Sequence, residues 1–109
     1  MDLIGRKRLI LNDGKVGWIA YDTEFVDYLN DGITIYRKVD KNRFTDDGYT
    51  TFNLDCFVPN WREDGTVEKI CKCYGCKMIG DNEEIQASRD SQLIQAILAI
   101  YAWIEFKED

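Results

Sequence analysis

The chain has 109 residues, 45% of them hydrophobic and 31% charged, which suits one globular domain and leaves no room for a second. Its formal net charge is -6, from 14 basic and 20 acidic residues, and it lacks histidine: the commonest general base and metal ligand, and the only side chain that normally titrates near neutrality, are missing. The longest apolar run, residues 93–104 interrupted by Gln95, falls short of the roughly 20 residues that span a bilayer, and Asp2 ahead of Arg6-Lys7-Arg8 does not read as a secretory leader, so no membrane association and a cytoplasmic location are expected.

Turn tripeptides punctuate the first two thirds of the chain: Asn12-Asp13-Gly14, Asn30-Asp31-Gly32, Asp46-Asp47-Gly48 and Glu63-Asp64-Gly65, with glycines 18, 16 and 17 residues apart. Asn or Asp before Gly supplies a type I turn and then a left-handed residue, which Gly adopts without a Cβ clash, so each tripeptide reads as a reversal between strands. The segments between them, residues 8–11, 15–21, 33–39, 49–58 and 66–74, are rich in β-branched and aromatic side chains and are expected to be strands. The repeated Leu-Asn-Asp-Gly at 11–14 and 29–32 is shared turn chemistry, because the copies do not match beyond the turn. Residues 22–29 read as a short helix or irregular turn capped by Asp22 or Thr23, with a strand running into the second turn as the alternative. In residues 49–58 alternation places Thr50, Phe52, Leu54, Cys56 and Val58 on one face and Thr51, Asn53 and Asp55 on the other, the pattern of a half-buried strand.

The C-terminal fifth changes character. Ser88, Asp90 and Ser91 are N-cap residue types, and residues 91–106 run without Gly, Pro or Thr, so the spacing predicts a helix over 88–107. Leu93, Ile94, Ile97, Leu98, Ile100, Tyr101 and Ile104 share one wide face, which must cover a sheet. The opposite side carries Gln95, Ala96, Ala99, Ala102, Trp103 and Phe106 where a solvated helix would show charges. Such a helix is covered twice: by a second subunit through Ala96, Ala99, Ala102, Trp103 and Phe106, which makes a homodimer the expectation, or by a strand or loop of its own chain.

Cys56, Cys71, Cys73 and Cys76 suffice in number for tetrahedral zinc, and Cys73-Tyr74-Gly75-Cys76 has the spacing of a zinc knuckle, but only one such pair exists. If the flanking segments are paired strands, a three-residue loop at Glu63-Asp64-Gly65 sets Cys56 opposite Lys72, and a four-residue loop sets it opposite Cys71. Free thiols packed as small apolar groups, with no cofactor, are expected; zinc and disulfides are the alternatives.

Catalysis is not expected. No Ser-His or Cys-His couple can form, Ser88 and Ser91 are accounted for by helix capping, and no glycine-rich phosphate loop occurs. The pairs Asp46-Asp47 and Glu83-Glu84 sit in polar, turn-like surroundings that would leave them solvated. Charge is instead distributed by region: residues 1–43 carry a net +1 and residues 44–109 a net -7. The basic strand surface Tyr36, Arg37, Lys38, Lys41, Arg43 and Phe44 has the cation and ring mixture of a single-strand nucleic-acid binder, although charge also serves to protect a sheet edge, and the overall acidity makes direct nucleic-acid binding the weaker reading.

The expected architecture is α+β: a twisted antiparallel β-meander of about five to seven strands, mainly within residues 1–87, with the C-terminal helix packed across one face. The expected function is that of a non-catalytic, acidic protein-binding module in which Asp46, Asp47, Glu63, Asp64, Asp81, Glu83 and Glu84 meet a protein partner with a basic surface. Such a module can inhibit a nucleic-acid-binding protein, as phage counter-defence proteins do. A single-stranded nucleic-acid-binding domain and a zinc-stabilised interaction domain are the alternatives.

Overall fold

The computed structural model describes residues 4–108. Its sheet contains β1 (Ile4–Asn12), β2 (Lys15–Val26), β3 (Gly32–Lys38), β4 (Phe44–Thr45), β5 (Lys77–Ile79) and β6 (Glu84–Ala87) in the spatial order β1-β2-β3-β4-β6-β5, every neighbouring pair antiparallel. Between β4 and β5 run the helices α1 (Tyr49–Phe57), α2 (Trp61–Asp64) and α3 (Thr66–Cys73), and α4 (Asp90–Glu108) ends the chain. The molecule is therefore α+β, with an antiparallel meander and a C-terminal helix.

The first two turn tripeptides reverse strands. Asn12 pairs with Lys15 across Asp13 (φ 52°) and Gly14 (φ 77°), both left-handed, so the loop has the two-residue type I′ form that matches strand twist, not the type I turn expected. The segment 22–29 is a strand as far as Val26 and then a tight loop, so the helical reading of it fails. Asp27 closes that loop: its Oδ1 accepts the backbone N–H of Leu29 at 2.8 Å and of Asp31 at 3.0 Å, an Asx-type turn that satisfies donors a helix would have paired internally.

The other two tripeptides serve helices, which corrects the strands expected over 49–58 and 66–74. Gly65 (φ 82°) ends α2 and opens α3, and Asp47 (φ 61°) with Gly48 (φ 79°) opens α1. The shared chemistry is the left-handed residue, which terminates a helix as readily as it turns a hairpin. In α1 the buried residues are Thr50, Thr51, Asn53 and Leu54, a helical spacing, while Phe52 and Cys56 of the supposed inner face are exposed. Over nine residues both periods fit; the Asp46 carboxylate, which accepts the N–H groups of Gly48 and Thr50, favours the helix. In α3, Val67 and Cys71 are buried one turn apart, and Glu68 pairs with Lys72 at 3.4 Å. With both segments helical, the strand register between Cys56 and Cys71 has no meaning.

The core joins all layers. Ile33 and Ile35 of β3, Ile85 and Ala87 of β6, Leu54, Trp61, Val67 and Cys71 of the short helices, and Leu93, Ile94, Ala96, Ile97, Ile100, Tyr101 and Ile104 of α4 form one buried cluster. The second cover on α4 is therefore supplied by α1 to α3 of the same chain. Ala96 is fully buried there, which removes it from any dimer surface, whereas Ala102 is exposed and Phe106 is 81% exposed. Trp103 is partly buried, with the Lys107 ammonium 5.4 Å from its ring centre.

Candidate functional site

A cleft of about 680 Å³ opens where β3, the 46–48 turn, α1, α2 and the β5–β6 loop meet. Strand alternation places Thr34 and Tyr36 on the opposite face from buried Ile33 and Ile35, so these two form one wall. The second wall is Asp47, Tyr49, Phe52 and Asp55; the third is Asp81, Asn82 and Glu83, with Arg62 from α2 beside it. Backbone geometry sets these positions. Thr51 Oγ1 lies 3.1 Å from the Gly48 and Asn82 carbonyl oxygens and 3.2 Å from that of Glu83, tying the loop to the first turn of α1. A Cβ on Gly48 would stand 3.1 Å from the Asn82 carbonyl oxygen, so glycine is required there for space as well as for its positive φ.

Five carboxylates line the cleft against one arginine, and they are not equivalent. Arg62 is fixed between two of them: Nη1 donates to Asp55 Oδ1 at 2.9 Å, Nε donates to Glu83 at 3.1 Å, and Nη2 donates to the same Glu83 carboxylate. These hydrogen bonds, with one of 2.8 Å from the Trp61 indole N–H, hold Asp55 below the usual carboxylate range and push the guanidinium further up. Asp47 behaves oppositely. Partial burial and the negative charges of Glu84 and Asp46 raise its carboxyl above the usual value, and burial followed by the charge of Asp47 raises the Tyr36 phenol. Anionic crowding of this kind is relieved by a bound cation.

The acids expected at a partner surface divide accordingly. Asp47, Asp81 and Glu83 line the cleft, and Glu84 sits beside Asp47, accepting a 2.7 Å hydrogen bond from Thr45 Oγ1. Asp46 lines the cleft but presents almost no surface to a partner: it is 2% exposed, and its carboxylate accepts the backbone N–H groups of Gly48, Thr50 and Ile85. Glu63 and Asp64 lie outside the cleft lining; Asp64 caps Thr66 through its backbone N–H and pairs with Lys107 at 3.6 Å. Sequence reasoning missed Tyr49, Phe52 and Arg62, because a strand reading of 49–58 gives Phe52 a buried position and sets Asp55 apart from the turns.

The basic set is not one surface. Arg37 and Phe44 face the Tyr21 side, the guanidinium bonding Tyr21 Oη at 3.4 Å and the Phe44 ring lying 5.6 Å from the Tyr21 ring, while Tyr36 belongs to the acidic cleft. Lys38, Lys41 and Arg43 remain together, around a groove of about 330 Å³ that also includes Trp18. The thiols are dispersed: Cys71 and Cys76 are buried, Cys56 and Cys73 exposed, and no group of three or more Cys, Asp or Glu suited to a metal ion occurs among the described residues. Among the same residues no helix is long and apolar enough to cross a membrane. Comparison with family models, curated proteins and solved structures finds no match for the chain, so its function is argued from this geometry.

Proposed function

We propose that this chain is a non-catalytic protein-binding module that holds basic side chains of a partner protein in its acidic cleft. The observation that carries the reading is the convergence of Asp47, Asp55, Asp81 and Glu83 on one concavity beside two outward-facing rings, Tyr49 at 48% and Phe52 at 63% exposure. Carboxylates supply charge complementarity, and exposed rings beside them accept the alkyl stem and cationic head of lysine or arginine. A net charge of -6 adds long-range steering toward a basic surface. By analogy of size and charge alone, a cytoplasmic inhibitor that occupies the nucleic-acid site of its target, in the manner of phage counter-defence proteins, is the role this chemistry suits.

The test is fluorescence anisotropy with labelled octalysine and octaarginine at low and moderate salt, comparing the native chain with the Asp47→Asn/Asp81→Asn double variant. Saturable binding that weakens with salt, and weakens about tenfold in the variant, is expected. Absence of binding at low salt, or equal binding by the variant, refutes the reading.

A second reading rests on the groove formed by Trp18, Lys38, Lys41 and Arg43. Cations around an indole suit a single nucleic-acid strand. Quenching of tryptophan fluorescence by an oligothymidylate, lost in Trp18→Ala and falling steeply with salt, would support it; no binding at low salt removes it.

A further inference from the structure

Deep to the acidic cleft lies a cavity of about 20 Å³, and the two share Thr34, Asp46 and Tyr49 in their walls. Asp27 lines this inner cavity. The residue is only 7% exposed, and while Oδ1 closes the 27–31 turn, Oδ2 has no hydrogen-bond partner among the described residues. A carboxylate oxygen taken out of water without a partner is costly, and a fold retains one where something donates to it. Asp46 supplies a second carboxylate wall: each of its oxygens accepts backbone N–H groups, but Oδ2 accepts only that of Thr50, at 3.1 Å, and keeps a lone pair. Ile33 and Ile97 supply apolar lining between them.

We infer that this inner cavity is the seat for a primary ammonium group on an alkyl chain, such as the end of a lysine side chain, which enters past Tyr49 with its methylenes along the outer cleft. The inference rests on the reading of the cleft as a site for basic side chains and names which basic group goes deepest. Size selects it: a volume near that of one water admits an –NH3+ head but not a planar guanidinium with its three nitrogens. Chemistry selects it too, because the head offers three donors and a charge to Asp27 Oδ2 and Asp46 Oδ2.

The experiment is an NMR titration of the intact protein with Nα-acetyl-lysine amide, Nα-acetyl-arginine amide and the uncharged Nα-acetyl-norleucine amide. The lysine compound is expected to shift the Tyr49 and Tyr101 ring signals saturably and to show nuclear Overhauser contacts from its ε-methylene to the Ile97 methyls. The arginine compound should bind at least about fivefold more weakly and without those contacts, and norleucine amide should not bind. Asp27→Asn, checked for folding by its amide spectrum, should weaken lysine binding about tenfold. Absence of the Ile97 contacts in the native protein, equal affinity for lysine and arginine, or binding untouched by Asp27→Asn overturns the inference. A slowly exchanging internal water at Asp27 that no amine displaces also overturns it. Octalysine binding that is lost in Asp47→Asn/Asp81→Asn but retained in Asp27→Asn would sink this inference alone and leave the cleft reading standing. Parallel titration with 1,5-diaminopentane separates the sources: tighter octalysine binding indicates a protein partner, tighter diamine binding a free polyamine, and either agrees with an ammonium seat.

Discussion

Asp46 and Asp47 are adjacent and chemically identical, yet the fold sends one inward and the other outward, so their substitution should separate scaffold from surface. In Asp46→Ala the N–H groups of Gly48, Thr50 and Ile85 lose acceptors at 3.0, 3.1 and 2.9 Å. Ile85 and Thr50 are essentially inaccessible to water, so replacement hydrogen bonds are hard to find. At about 1–3 kcal/mol for each stranded donor, and allowing water from the cleft to reach the Gly48 N–H, the loss is about 4 kcal/mol. Asp46→Asn keeps an acceptor at Oδ1 and turns an amide nitrogen toward the Thr50 N–H, costing about 1–2 kcal/mol. Asp47→Asn removes a charge that its neighbours already disfavour, so stability at neutral pH should be unchanged or slightly raised. Urea unfolding followed by circular dichroism reads all three. With a slope of about 1.2 kcal/mol/M for a chain of this size, the midpoint should fall by about 3 M for Asp46→Ala and about 1 M for Asp46→Asn. A loss below about 1 kcal/mol for Asp46→Ala, or a larger loss for Asp47→Asn than for Asp46→Asn, would refute the assignment of Asp46 to the scaffold.

Thiol chemistry offers a second check. Burial pushes the Cys71 thiol up to about 12 and the Cys76 thiol up to about 11, so native protein treated with iodoacetamide near pH 7.5 should be labelled at Cys56 and Cys73. Cys71 and Cys76 should react about 100-fold more slowly until urea is added; mass spectrometry showing Cys71 modified as fast as Cys73 would contradict this. Asp22 accepts hydrogen bonds from Arg8, Thr34 and Arg6, which hold its carboxyl well below the usual range. Because the folded value lies below the unfolded one, that stabilisation is present above about pH 4 and lost as the pH falls further. Asp22→Asn should therefore cost about 1–2 kcal/mol at pH 7, with a gap to the native protein that starts to narrow below about pH 5 and is still narrowing at about pH 2; a gap independent of pH would rule the ion pairing out as its source. Finally, Ala99, Ala102, Trp103 and Phe106 are the residues of the expected α4 subunit contact that keep exposed surface, so a homodimer formed through them should be dissociated by Phe106→Asp in sedimentation. A native monomer, or a dimer that Phe106→Asp leaves intact, would remove the subunit contact through α4.

The α+β class, the first hairpin and the C-terminal helix were legible because their signals are local and redundant. Residues 91–106 have length, caps and apolar content that no strand accommodates, and Asn12-Asp13-Gly14 is followed at once by alternating apolar residues. The middle of the chain was not legible, because its deciding contacts are distant in sequence. Thr50-Thr51 and the alternation to Val58 favour a strand locally; the Asp46 carboxylate, reaching Ile85 across 39 positions as well as the start of α1, overrides that preference. The acids at the turns could be foreseen as a group, but not which of them would be consumed as caps. Asp46 and Asp64 sit immediately before helical N–H groups and satisfy them, while Asp47 and Asp81 do not. Arg62 and Phe52 enter the cleft only because their segments coil, and no spacing in a strand reading brings them there.

The left-handed residues explain why charge and concavity coincide. A helix start and a tight β5–β6 loop each need positive φ, supplied at Asp47, Gly48, Gly80 and Glu83. Asp and Asn tolerate that conformation better than other non-glycine residues, and Glu83 is held in it by the Arg62 pairing and the Thr51 contact to its carbonyl. The two bends, one after β4 and one between β5 and β6, both border the hollow, and their left-handed Asp47 and Glu83 place carboxylates on its rim. The geometry thus makes acidity at this site partly a requirement of folding. What sets the site apart from an ordinary acidic turn is what folding does not require: the outward Phe52 and Tyr49 rings, and the Asp27 oxygen that closes no turn.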